Sequence, residues 1–308
     1  MRAVPPAPRR GTPRPDVPAP RAGTRPPRPP PPPRARPRRD LLVSEMDRAG
    51  VDAAVIVQPK NHGFDHAYVT EVLRRHPSRF VGVLLADPAD DGRGVAQLEE
   101  LVTEGGFRGA RFNPYIWPAG PDGVQRMTTA AGRALFRRAG ELGVPVGFMC
   151  FQGLLLHADE IEELMRESPA TPVVLDHAGF CDADRPGDPA WARLLSLARY
   201  PQVHVKVSAL FRLTGAGYPY LPVRAKVREL ADAYGAPRLL WGSDWPWVGA
   251  ACGYGGARAG LRDMDAAGGG GLFSDDEWEW VMGRTAAKLF GLPGPGGQAG
   301  AAPPDAGP

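Results

Sequence analysis

An α/β architecture built on a parallel, barrel-like sheet is what this sequence predicts, and three observations carry that expectation. From residue 41 onward, short β-branched or apolar runs alternate with amphipathic stretches, the runs begin 27 to 36 residues apart, and each is almost continuously apolar. That spacing holds a strand, a helix and two loops, which makes successive strands parallel. Unbroken apolar character fits strands covered on both faces.

The predicted strands are Ala53–Val57, Phe80–Leu85, Gly109–Phe112, Val144–Met149, Val173–Leu175, Val203–Val207 and Leu239–Trp241. Helical spacing fills the intervals. Leu42, Met46 and Ala49 precede Gly50; Val95, Leu98, Leu101 and Val102 form one stripe; Leu135, Phe136, Ala139 and Leu142 precede Gly143; and Val223, Val227, Leu230 and Tyr234 precede Gly235. A glycine just past the stripe suits the left-handed residue that ends many helices. In the last helix Ser274 and Glu277 form a capping box, and Trp278, Val281, Met282, Thr285, Leu289 and Phe290 are expected on one face.

The count is seven strands with a helix first. A (β/α)8 TIM-type barrel needs one more strand before Leu41, and the Pro/Arg tract there cannot supply it because proline removes ladder donors. The expectation is therefore a (β/α)8 TIM-type barrel lacking its first strand. Its two free edges and bared inner face, at roughly 1.5–3 kcal/mol per exposed large side chain, call for cover from another segment or subunit.

Composition divides the chain into a Pro/Arg-rich leader over residues 1–40, a barrel domain over 41–292 and a Gly/Pro/Ala tail over 293–308, both ends being expected to be disordered. The leader holds 15 Pro and 11 Arg against Asp16 and Asp40, so removing it from the whole-chain charge of +3 leaves about −6 for the barrel. A nucleic-acid surface is not expected there. The leader has no hydrophobic stretch of the secretory kind, and no run reaches the length needed to cross a bilayer. The expected setting is cytoplasmic, or chloroplast or mitochondrion where the leader serves as a transit segment. Cys150, Cys181 and Cys252 are widely separated and fit small buried hydrophobes in a reducing compartment.

Two motifs carry the chemistry. Trp241-Gly242-Ser243-Asp244-Trp245-Pro246 ends an apolar run in an acid, and Asp176-His177 closes an earlier run of the same type. Together they supply a base and an imidazole. Hydrolysis needs a group that takes a proton from water and returns it to the leaving group, and Asp244, flanked by Trp245 and Trp247, is the candidate; the alternative is a structural acid. His177 is the candidate for polarising a carbonyl, the alternative being a hydrogen-bonded histidine under a loop. Arg111, just before Asn113-Pro114, suits a carboxylate group. Strand alternation sends Lys206 and Ser208 to one face and Val205 and Val207 to the other. Arg111, Lys206, Ser208 and Asn113 are the candidate substrate-binding residues, with Arg212 close by; for Arg111 and Lys206, salt bridges bracing neighbouring strands are the alternative. Asp65 is expected to cap a helix that His66 opens, so His62 and His66 are not assigned as ligands. His76, His157 and His204 show no partner pattern. Tyr115, Trp117, Tyr218 and Tyr220 lie in loops and fit either an aromatic lid or loop packing.

These stretches, with Phe80-Val81-Gly82-Val83, Gly106-Phe107-Arg108-Gly109-Ala110-Arg111 and Val205-Lys206-Val207-Ser208, resemble the amidohydrolase-related (amidohydrolase 2) barrels over about residues 41–292. The branch most similar contains 2-pyrone-4,6-dicarboxylate lactonase and its plant-type relatives. The resemblance implies a distorted barrel with its site at the C-terminal mouth and a hydrolase acting on a lactone or related C–O or C–N bond of a small carboxylated substrate. Metal-using relatives complete their site with a His-x-His pair on the first strand and a further ligand on the fifth, whereas this sequence contains no His-x-His. Resemblance to the lactonase branch implies that no cofactor is required, with His177 and Asp244 the ligands of a single divalent metal where one binds. Two alternatives stay open: a non-oxidative decarboxylase, and a catalytically impaired barrel acting as a binding protein. The expected partner is a small molecule, neither nucleic acid nor membrane, and the oligomeric state is left open.

Overall fold

Residues 38–292 are described by the computed structural model, so the expected leader up to residue 37 and the expected tail lie outside the described residues. Helix α1 (Arg38–Ala49) takes in the last three residues assigned to the leader. Seven strands follow: β1 (Ala54–Val57), β2 (Phe80–Leu85), β3 (Phe107–Phe112), β4 (Val146–Phe148), β5 (Val173–Leu175), β6 (Val203–Ser208) and β7 (Leu239–Gly242). They form one sheet in sequence order, every neighbouring pair parallel. The predicted α/β TIM-type architecture is present as a curled, open sheet, and among the described residues β1 and β7 are its two edges.

Between and after the strands lie α2 (Ala67–Arg75), α3 (Arg93–Thr103), α4 (Ala130–Glu141), α5 (Ala158–Glu167), α6 (Pro189–Ser196), α7 (Val223–Tyr234), α8 (Gly253–Ala267), α9 (Asp275–Glu279) and α10 (Thr285–Phe290). Alternation along each strand splits the sheet into two faces. Phe107, Phe112, Phe148, Leu175, Val205 and Val207 turn outward and join the main core with Leu98, Phe136, Ile161, Leu194 and Leu230 from the helices. At roughly 1.5–3 kcal/mol per buried large side chain, this layer outweighs the sparse inner face. No helix among the described residues is long and apolar enough to cross a membrane.

Inside the curl, Val81, Val83, Val174 and Leu240 form a separate small cluster closed by Phe290, with Val55, Val57, Leu289 and Leu292 against it. Gly109 makes the room: a Cβ there would lie 3.2 Å from the Phe290 ring. The C-terminal helix thus supplies interior packing next to the two edge strands of the described sheet. It reaches that position through a π turn at Trp280–Arg284. The capping box of Ser274 and Glu277 forms as predicted, but the expected single face does not persist. Trp278 enters the outer core before the turn and Val281 within it, and Phe290 enters the interior after it, because the extra residue of a π turn rotates everything downstream.

Candidate active site at the C-terminal mouth

The end of the sheet where the strands finish gathers the charged residues. Arg111 lies near the end of β3, Asp176 follows β5 directly, and Lys206 stands on β6. Asp176 is 1% exposed and touches both cations, Arg111 at 2.6 Å and Lys206 at 2.7 Å. Neither contact is aligned as a hydrogen bond, so the trio is held by charge and proximity. Lys206 needs to cross only one inter-strand spacing, whereas Arg111 must cross two, about 9–10 Å, over β4. It passes where β4 has Gly147, the residue registered beside it. Burial alone would raise the Asp176 carboxyl, yet the two cations outweigh that effect and hold it well below the usual carboxylate range.

Above this trio His177 meets Asp244. The imidazole Nε2 is 3.7 Å from Asp244 Oδ1, and its Nδ1 is 2.8 Å from Ser208 Oγ at the end of β6. Arg212 Nε donates to Asp244 Oδ2 at 2.9 Å, which fixes the carboxylate with its other oxygen toward the ring. Burial pushes the His177 pKa down to about 4 against the opposing pull of Asp176 and Asp244, so the ring is neutral near pH 7. Three cations then face two carboxylates, leaving one surplus positive charge in the mouth. His177 is aimed by an unusual backbone: His177, Ala178, Gly179 and Phe180 all have positive φ, between 46° and 65°. The resulting left-handed turn costs roughly 1–2 kcal/mol per non-glycine residue, and the Phe180 ring packs edge-on to the imidazole at 5.0 Å. Asp244 has positive φ as well, 56°.

The sequence profile of the amidohydrolase family matches residues 5–292. The chain belongs to the amidohydrolase family. It is 29% identical over 228 residues to a 4-sulfomuconolactone hydrolase of Rhizobium radiobacter, an alignment covering 72% of this chain and 70% of that protein. A second 4-sulfomuconolactone hydrolase, of Hydrogenophaga intermedia, is 29% identical over 213 residues, 67% of this chain and 64% of its own length. Among solved structures, a Pseudomonas putida protein provisionally named a 2-pyrone-4,6-dicarboxylic acid hydrolase is 31% identical, with a TM-score of 0.65 covering 82% of this chain and 87% of that one. These three relatives carry hydrolase names, in the lactonase-like branch read from the motifs.

Within this amidohydrolase mouth, the predicted residues divide. Asp244, His177 and Ser208 come together, as do Arg111 and Lys206, though these last two reach Asp176, a residue to which sequence reasoning gave no role of its own. Its signal was its place at a strand end, level with Lys206 on the neighbouring strand. Arg212, named only as close by, contacts Asp244 directly. Asn113 is 5% exposed, and its buried Oδ1 has no hydrogen-bond partner. Trp247, three residues after Asp244, is 65% exposed. Trp117 and Tyr220 are buried in packing, while Tyr218 is exposed at 41%. His66 occupies the N-cap position of α2 without a side-chain cap bond, while Asp65 Oδ1 accepts from the Ala67 amide at 3.0 Å and so serves the helix start, and His66 Nε2 accepts from the Leu85 amide. His157 bonds Tyr115 at 3.0 Å. Cys150 and Cys181 are buried, and burial raises both thiols above their ordinary value.

The metal chemistry of other barrels does not fit these residues. A guanidinium already pairs with Asp244, Ser208 engages one nitrogen of His177, and among the described residues no group of three or more His, Cys, Asp or Glu side chains could hold a metal ion. A structural zinc or catalytic metal site ordinarily takes three or four protein ligands.

Proposed function

We propose that this protein hydrolyses the lactone ring of a small anionic substrate, with Asp244 as the general base. The observation that carries this reading is the meeting of His177 Nε2 and Asp244 Oδ1, 3.7 Å apart at the mouth of the sheet. Water held by Asp244 gives up its proton to the carboxylate and attacks the lactone carbonyl. His177 stabilises the negative charge that builds on the carbonyl oxygen. The tetrahedral intermediate then collapses, the ring C–O bond breaks, and the proton stored on Asp244 passes to the departing alkoxide, leaving an open-chain hydroxy acid. A protonated carbonyl is not needed, because the neutral imidazole acts as a hydrogen-bond donor.

The surplus positive charge around Arg111, Lys206 and Arg212 favours a substrate bearing a carboxylate or sulfonate. The names of the relatives, one acting on a sulfomuconolactone and one on a pyrone dicarboxylic acid, support the same class. The donor set favours catalysis by these protein groups without a metal.

The test is turnover of a panel of carboxylated and sulfonated lactones by the full-length protein after dialysis against chelator. Asp244→Asn is expected to lower kcat by about a hundredfold or more on any lactone the native protein opens. Native rates from that variant would remove Asp244 as base, and activity that disappears on chelation would return the reaction to a metal.

A further inference from the structure

Ser208 is 2% exposed, so its hydroxyl is not offered to solvent, and its hydrogen-bond partner is His177 Nδ1 at 2.8 Å. The opposite nitrogen faces a carboxylate oxygen at 3.7 Å. A neutral imidazole carries one proton, and its two tautomers fit this pair of neighbours unequally. With the proton on Nδ1, the lone pair of Nε2 points at the negative Asp244 oxygen, and the Ser208 hydroxyl hydrogen has no acceptor among its hydrogen bonds. With the proton on Nε2, Ser208 donates to Nδ1 and Nε2–H points toward Asp244 and any oxygen bound between them. The Ser208 hydroxyl is then satisfied, and Nε2–H faces the carboxylate instead of a lone pair doing so.

We propose that Ser208 is a positioning residue that holds His177 in the Nε2–H tautomer, making the imidazole a hydrogen-bond donor toward the reacting carbonyl. The proposal rests on the hydrolase reading for its catalytic consequence and on the Ser208–His177–Asp244 geometry for its structural one. The order of groups resembles a nucleophilic serine triad, but the ring is turned over: in such triads Nε2 serves the serine and Nδ1 the acid. Here the serine meets Nδ1 and is buried behind the ring, placed to direct it rather than to attack. Gly242, registered beside Ser208, leaves it room, because a Cβ there would stand 3.3 Å from the serine Cβ. Ser208 also borders a small cavity of about 20 Å³ with Leu210, Tyr220 and Gly242, space for one added methyl.

Two measurements test this on the full chain. Nitrogen-15 NMR of the resting protein is expected to show His177 as the Nε2–H tautomer in the native form and in Ser208→Thr, and as a tautomer mixture in Ser208→Ala. On a lactone substrate Ser208→Ala is expected to lose about ten- to a hundredfold in kcat, a loss typical of removing a histidine-orienting partner, with KM unchanged and activity restored in Ser208→Thr. An Nδ1–H tautomer in the native protein, or unchanged kcat and spectra in Ser208→Ala, overturns the proposal. Covalent labelling of Ser208 by an organophosphonate, with turnover abolished in both variants, also overturns it by making the serine a nucleophile. Because the NMR measurement needs no substrate, a protein that shows the expected tautomer but opens no lactone sinks the hydrolase reading alone.

Discussion

Arg111 and Lys206 lie 15% and 17% exposed against a carboxylate that is 1% exposed. Deleting that charge in Asp176→Asn strands two nearly buried cations, and a lost partner in a buried pair costs about 3–5 kcal/mol. Urea denaturation is expected to register a loss of that size, with Lys206→Met losing less because Arg111 still neutralises the acid. His177 makes a pH-dependent contribution. Unfolding releases its ring from a pKa of about 4 to the ordinary 6.5, so between those values the unfolded chain binds more protons than the folded one. Stability is therefore full above about pH 6.5 and declines as pH falls through that window, by on the order of 3 kcal/mol from this ring. His177→Gln is expected to flatten the fall measured by denaturation at pH 4.5 to 7.5, though His66 and His157, whose pKa values burial also lowers, keep part of it. The chemistry-bearing residues were legible because each closes or lines an apolar run. Asp176 was not assigned, since the partners that give it a role, Arg111 and Lys206, stand on other strands far from it in the sequence.

Individual elements were read to within a residue or two where apolar content alone defines them. β5 was read in full, whereas β3 begins two residues earlier than predicted, because Arg108 interrupts the run while its guanidinium bonds the carbonyls of Val102 and Phe107. Backbone handedness was beyond the sequence. Nothing in Asp176-His177-Ala178-Gly179-Phe180 besides one glycine announces a left-handed turn. Ala178, at φ 46°, has a Cβ in a conformation that glycine adopts freely. Ala178→Gly is expected to raise stability by about 1 kcal/mol, relief of the left-handed strain exceeding the added chain entropy, as read by the urea midpoint. A loss of stability from that substitution means the turn is not strained at this residue.

At the scale of the molecule, the strand count, the sequential parallel order and the two edges of the sheet among the described residues followed from periodicity. The filling of the interior did not, because the π turn breaks the helical period on which the last segment was read. β1 is half-buried along its whole length while β2 is buried throughout, so its amides are expected to exchange with deuterium ahead of those in β3 to β5. Phe290→Ala empties the inner cluster and is expected to cost about 3–5 kcal/mol, measured by thermal or urea unfolding, with exchange in β1 and β7 accelerating most. That single ring sets an order on biogenesis. All seven strands leave the ribosome before the residue that fills their centre, so a nascent sheet waits with a hollow middle, open to chaperones and to wrong partners, until nearly the last described residue has been made.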